Sequence, residues 1–126
     1  MKTSRASDEV LLRHMLERID RIEAATGRKR EAFFSSRLVQ DATLRNLQTL
    51  TESSQRLSVD AKAAEPSIPW RQLGAMRNIL VHDYLGGIDP ETVWEAIERD
   101  LPVLREALER LLARTSPGTG EGGDVA

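Results

Sequence analysis

Apolar residues recur at steps of three and four along four separate stretches of this chain, a periodicity that fits amphipathic helices and does not fit strands. The first stripe is Leu12, Met15, Leu16, Ile19 and Ile22. It predicts a helix from Asp8 to about Thr26, with Ser7 as N-cap, Asp8 and Glu9 at the positive end of the dipole and Gly27 closing the C-terminus. A basic turn, Gly27 to Arg30, leads through Phe33 and Phe34 to a second helix from about Ser36 to Leu57, carried by Val39, Leu47, Leu50 and Leu57. Residues 58–68 hold Pro66 and little apolar surface, and read as a loop.

Pro69 fits the first position of a third helix that ends near Tyr84 and Leu85, where Gly86 and Gly87 stop it. Asp89 and Pro90 restart the chain as cap and first-turn proline. The fourth stripe, Val93, Trp94, Ile97, Leu101, Leu104, Leu108 and Leu111, keeps its phase through Pro102, so a kink or short break is expected there rather than a new element. The expected fold is all-α, an up-and-down bundle of four to five helices in one domain over residues 1–114. Residues 115–126 carry four of the eight glycines and a proline, and read as a disordered tail.

Composition narrows the function classes. Aromatic residues at 4% add to the case against a sheet. The absence of cysteine removes disulfides, thiolate metal sites and thiol nucleophiles, and two histidines form no recognisable ligand set, so no metal and no cofactor are expected. No apolar run approaches the roughly 18 residues that a membrane span needs, and the polar start, Met1 to Ser7, has no signal-like core; the cytoplasm is the expected compartment. A net charge of −2 argues against coating nucleic acid by bulk electrostatics, which leaves room only for a local site.

The candidate for that site is the run from Arg77 to Tyr84, which sets an arginine, a histidine and a tyrosine within about two helical turns. Arginine holds phosphate in a two-pronged fork, histidine moves protons near neutral pH, and a tyrosine hydroxyl accepts or donates beside them. Trp70, Leu73, Arg77, Leu80 and Tyr84 share one stripe, which places a permanent charge in an apolar row. Its partner is then a phosphate or, on the plainer reading, a carboxylate of a neighbouring helix such as Glu52 or Asp41. His82 falls about 140° round the helix from Arg77 and shares a face with Asn78, whose amide is placed to fix the ring. Met76, Ile79 and Leu80 make the segment apolar nearly all round, which suggests a symmetric interface that would unite Arg77 and His82 from two copies. His14 has no partner motif and reads as a solvated or edge residue.

The octet resembles the signature of the HepT-like ribonucleases of the HEPN superfamily: arginine, a polar residue, a short spacer, histidine, any residue, tyrosine. Arg77, Asn78, His82 and Tyr84 fill those places. The stretch from Asp41 to Leu50, the Ile68-Pro69-Trp70 entry, the restart from Asp89 to Trp94 and the segment from Asp100 to Leu104 are similar to that family too, so that the resemblance covers roughly residues 8 to 112. It implies a dimeric HEPN-like bundle that cuts RNA without metal, the toxin of a type VII-like toxin–antitoxin pair. It implies Arg77 and His82 as the catalytic pair, with Asn78 and Asp83 in support. Tyr84 becomes the acceptor of AMP from an MntA-like nucleotidyltransferase antitoxin, with which the chain forms a larger hetero-oligomer. Arg28, Lys29 and Arg30 are candidate contacts to the RNA backbone, against the simpler reading of a solvated turn. Two other classes stay open from the residues: a non-catalytic binding subunit of a nucleotidyltransferase, and a structural homo-oligomer.

Overall fold

Leu12, Met15, Ile19 and Ile22 lie fully buried at the centre of the computed structural model, which describes residues 5–83 and 88–115 apart from the side chains of Arg5, Ala6 and Asp83. Each such side chain contributes roughly 1.5–3 kcal/mol relative to exposure, so this stripe alone commits helix α1 (Arg5–Thr26) to the middle of a bundle. The chain continues through α2 (Arg30–Phe34), α3 (Arg37–Arg56), α4 (Val59–Ala64), α5 (Trp70–Asp83), α6 (Pro90–Glu95) and α7 (Leu101–Thr115), with a π-helical turn at Ala96–Asp100 linking the last two.

Contacts between distant residues fix the directions. Asp8 meets Ser58 and Arg18 meets Asn46, so α1 and α3 run antiparallel. Glu52 faces Arg77, and Gln55 packs on Gly74, which sets α5 antiparallel to α3. Arg105 reaches Asp20 and Glu23 while Asp8 shares a hollow with Leu111, and α7 therefore descends beside α1. The long elements form an up-and-down helical bundle, as the stripes predicted. Leu50, Leu80, Trp94, Leu104 and Leu108 complete its core, with Phe33 stacked on Trp94 at 5.5 Å between ring centres.

Several local details differ from the sequence expectation. Helix α1 starts at Arg5, which puts Ser7 inside the first turn rather than at the cap. Asp8 is buried, and its carboxylate accepts hydrogen bonds from Ser58 N at 2.9 Å and Ser58 Oγ at 2.6 Å, tying the first turn of α1 to the start of α4. At the other end Gly27 takes a φ of 61° and Arg28 a φ of 60°, a left-handed pair that ends α1 as the glycine foretold. The stretch expected as a plain turn into Phe33 contains α2, and the expected loop over 58–68 contains α4, capped by Ser58 Oγ accepting from Ala61 N. Trp70 Nε1 donates to the carbonyls of Lys62 and Glu65, satisfying acceptors that a helix end leaves open.

At Pro102 the rod neither breaks nor restarts. Proline lacks the N–H that would reach Glu98, and its ring presses on that carbonyl. The preceding turn widens instead: Leu101 N donates to Ala96 O, five residues back, and the apolar stripe stays buried from Trp94 to Leu111. Helix α7 continues to Thr115, one residue past the expected domain edge. The glycine stop after α5 and the tail expected beyond Thr115 lie outside the described residues. No helix among the described residues is long and apolar enough to cross a membrane.

Candidate functional site

Helix α5 carries the candidate octet as far as Asp83, and it is a helix whose two faces do different things. Leu73 and Leu80 turn toward the core, Leu80 with 2% exposure, because they sit on the stripe that packs against α3. Arg77 belongs to that stripe but lies at its edge. Its Nε stands 3.7 Å from Glu52 Oε2 on α3, and its Nη1 donates to Asn78 Oδ1 at 3.1 Å. The carboxylate partner expected on a neighbouring helix is thus Glu52 rather than Asp41.

That ion pair is open to water, with 39% of the Arg77 side chain and 40% of Glu52 exposed. Exposed pairs of this kind are weak, worth about 0–1 kcal/mol, so the guanidinium is held in place without being consumed. An incoming phosphate can compete for its remaining donors. Asn78 serves the arginine, not the histidine: the expected contact from Asn78 to the His82 ring is not made. His82 is exposed near the end of α5 and makes no hydrogen bond among the described residues.

The structure does not bring Arg77 and His82 together within one copy as a hydrogen-bonded pair. Of the apolar residues expected at an interface, Leu80 is consumed by the chain's own core and Met76 packs partly against it. Ile79, 50% exposed, and Val81, 37% exposed, remain on the outer surface beside His82. Tyr84 lies outside the described residues, as does the side chain of Asp83.

The basic turn is differently engaged. Arg30 forms a two-pronged pair with Glu91 at 2.6 and 2.7 Å and lies 4.5 Å from the centre of the Phe34 ring. The shared hydrogen bonds raise the Arg30 pKa and lower that of Glu91. Arg28 reaches Glu23 at 3.2 Å, which leaves Lys29 as the member of the three without a carboxylate partner among the described residues.

A groove of about 780 Å³ runs along the α3–α5 seam beside Arg77. Glu52, Gln55 and Arg56 line it from α3, and Arg71, Gly74, Ala75 and Asn78 from α5. Arg56 and Arg71 carried no signal in the motif. Their trace in the sequence is the spacing of Arg71, Gly74, Ala75 and Asn78 at i, i+3, i+4 and i+7, a polar and small stripe that flanks the apolar one on α5. His14 is an edge residue, one of the two placements expected: it is half-buried, with Nε2 closed to solvent and without a hydrogen-bond partner among the described residues, in a hollow that shares Glu52 and Arg56 with the groove. Among the described residues no three acidic or histidine side chains gather as a metal-binding group.

Comparison with known proteins gives a consistent direction. The family described as "Ribonuclease HepT-like" matches residues 15–111. A Methanocaldococcus jannaschii protein named "Gamma-glutamylcyclotransferase and putative RNase" is 33% identical over 82% of this chain, which spans about half of that relative, 47%. A "Probable ribonuclease HepT" of Thermococcus cleftensis is 35% identical over 64% of this chain and 73% of its own length. A "Putative RNase" of Caldanaerobacter subterraneus is 27% identical over 90% of this chain and 98% of its own. No solved structure matches the chain.

Proposed function

The chain belongs to the ribonuclease HepT-like family, and from that premise we propose that it is an RNA endonuclease that needs no metal, with Arg77 and His82 as the catalytic pair. The observation that carries the reading is the family match over residues 15–111, which contains the whole run from Arg77 to Tyr84. The accessibility of both side chains supports it.

RNA supplies its own nucleophile. The 2′-hydroxyl oxygen forms a bond to phosphorus, the bond from phosphorus to the 5′-oxygen breaks, one proton leaves O2′ and one arrives at O5′. His82 is the proton-transfer group in this scheme. Arg77 holds the non-bridging oxygens, whose charge grows as the phosphorane forms, and Asn78 orients the guanidinium through the bond to its Nη1. Asp83 stands next to His82 in sequence as a supporting group, and Lys29 of the basic turn, which has no carboxylate partner among the described residues, is the side chain there that meets an RNA phosphate.

Completion of the site by a second copy is part of the proposal. Ile79 and Val81 flank His82 as exposed apolar side chains, so a symmetric partner that covers them brings two Arg77–His82 sets to one cleft. In a cell the chain then acts as the toxin of a type VII-like pair, held in a hetero-oligomer by an MntA-like nucleotidyltransferase that transfers AMP to Tyr84. The added phosphate would occupy Arg77 and repel RNA. Expression of the chain alone tests this role. Growth arrest relieved by Arg77→Ala or His82→Ala is expected, and normal growth with soluble, folded wild-type protein contradicts it.

A further inference from the structure

We infer that Arg56 and Arg71 hold the RNA backbone in the α3–α5 groove, each on a phosphate beside the one that Arg77 clamps. The inference deepens the ribonuclease reading and rests on it. The groove is built from one stripe of each helix: residues 52, 55 and 56 of α3 face residues 71, 74, 75 and 78 of α5. Among the described residues, three guanidiniums and a single carboxylate, Glu52, line it. In a chain with 20 acidic against 18 basic residues, that local excess of positive charge is not a consequence of composition.

Other arginines of the chain are paired with acids at short range. Arg13, Arg21, Arg28, Arg30, Arg105 and Arg110 each have a carboxylate within 3.2 Å. Arg56 and Arg71 have none among the described residues, and both are exposed. Arg37, Arg45 and Arg114 share that lack but do not line the groove, whereas at Arg56 and Arg71 unpaired charge and groove geometry coincide.

Small residues keep the channel open. Gly74 and Ala75 put almost no side chain into it, and Gln55 lies so close to Gly74 that a Cβ there would come within 2.6 Å of its Oε1. The Gln55 amide therefore lies against α5 between the arginines and adds a neutral donor and acceptor. Arg71 and Arg77 are six residues apart, an axial rise of about 9 Å, so they address different phosphates of one strand rather than the same one. Arginine's planar fork suits this duty, since it takes two oxygens of one phosphate at once.

The test combines binding and turnover. The variant is Arg56→Gln/Arg71→Gln. Its binding to a fully 2′-O-methylated, fluorescein-labelled single-stranded RNA is followed by anisotropy over a range of salt. Cleavage of the unmodified strand gives kcat and KM. Each lost phosphate contact lowers the log–log salt slope by about 0.7 for a single strand, so a fall of about 1.4 is expected, with KM up about tenfold and kcat within about twofold. Arg56→Lys/Arg71→Lys restores the slope, because the charges return, while Arg114→Gln, outside the groove, leaves all three quantities at wild-type values. A double glutamine variant with wild-type helical signal, KM and salt slope overturns the inference, as does one that loses kcat and keeps KM. If wild type neither binds nor cuts RNA, the ribonuclease reading itself fails and takes this inference with it.

Discussion

Glu52 Oε2 stands 3.7 Å from Arg77 Nε across the seam between α3 and α5, and among the described residues it is the single carboxylate in a groove with three arginines. It therefore does two opposed things. It steadies the guanidinium, and it competes with any phosphate that seeks it. With both side chains about two-fifths exposed, the stabilising part is small.

Glu52→Gln is accordingly expected to leave the thermal midpoint within about 2 °C and to lower KM for RNA by about two- to fivefold, since a neutral amide no longer opposes the phosphate. Steady-state cleavage and thermal unfolding measure the two effects. A raised KM would mean that Glu52 acts by holding Arg77 in position instead.

A buried tie between α1 and the start of α4 carries stability. Asp8 is buried with 6% exposure, and both its oxygens accept from Ser58, so Asp8→Ala strands a backbone N–H and a hydroxyl. The expected loss is about 2–4 kcal/mol in denaturant unfolding. Asp8→Asn, which keeps one acceptor, should cost clearly less. Equal losses in the two variants would show that the charge, rather than the acceptor pattern, stabilises this corner.

The acid limb of stability has an identifiable contributor. Arg110 donates to both oxygens of Glu65 at 2.8 and 3.0 Å, and these hydrogen bonds hold the Glu65 carboxyl below its ordinary pKa, against the opposing pull of desolvation. A carboxylate depressed in the folded state stabilises fully above its unfolded pKa, and that contribution disappears as pH falls through the folded one. The midpoint difference between wild type and Glu65→Gln is thus expected to be greatest near neutrality and to shrink below the ordinary carboxylate range. A difference that stays constant from pH 7 to about pH 3 would contradict the assignment.

The contrast between these residues shows what a sequence carries. The long helices were legible because each repeats its apolar step over several turns, and Gly27 and Ser36 mark ends that the backbone uses. Helices α2 and α4, of 5 and 6 residues, were not, since so short a piece completes little of a helical period. The pairing of Arg77 with a carboxylate followed from charge in an apolar row, and Glu52 was among the partners named. The inward turn of Asp8 was hidden, because its partner lies 50 residues away and no local pattern encodes it. Arg56 and Arg71 were hidden for a related reason: a polar stripe on one helix looks like a solvent face until a second helix sets another arginine across from it.

The modification carries its own outcome. Incubation with ATP and the partner nucleotidyltransferase is expected to add AMP to the wild-type chain and none to Tyr84→Phe, read by intact mass. Labelling that persists in the variant would move the acceptor to another residue.

The central claim is chemical, and one measurement addresses it: the purified chain is incubated with a single-stranded RNA and with the same strand bearing one 2′-deoxy nucleotide at the cut position, both with excess EDTA, and the product ends are read by mass. Cleavage of the RNA to a 2′,3′-cyclic phosphate and a 5′-hydroxyl, no cleavage at the 2′-deoxy position, and a loss of at least about 100-fold in His82→Ala and Arg77→Ala is the predicted result. Cleavage that continues at the 2′-deoxy position, or that survives in either variant at the wild-type rate, contradicts the account.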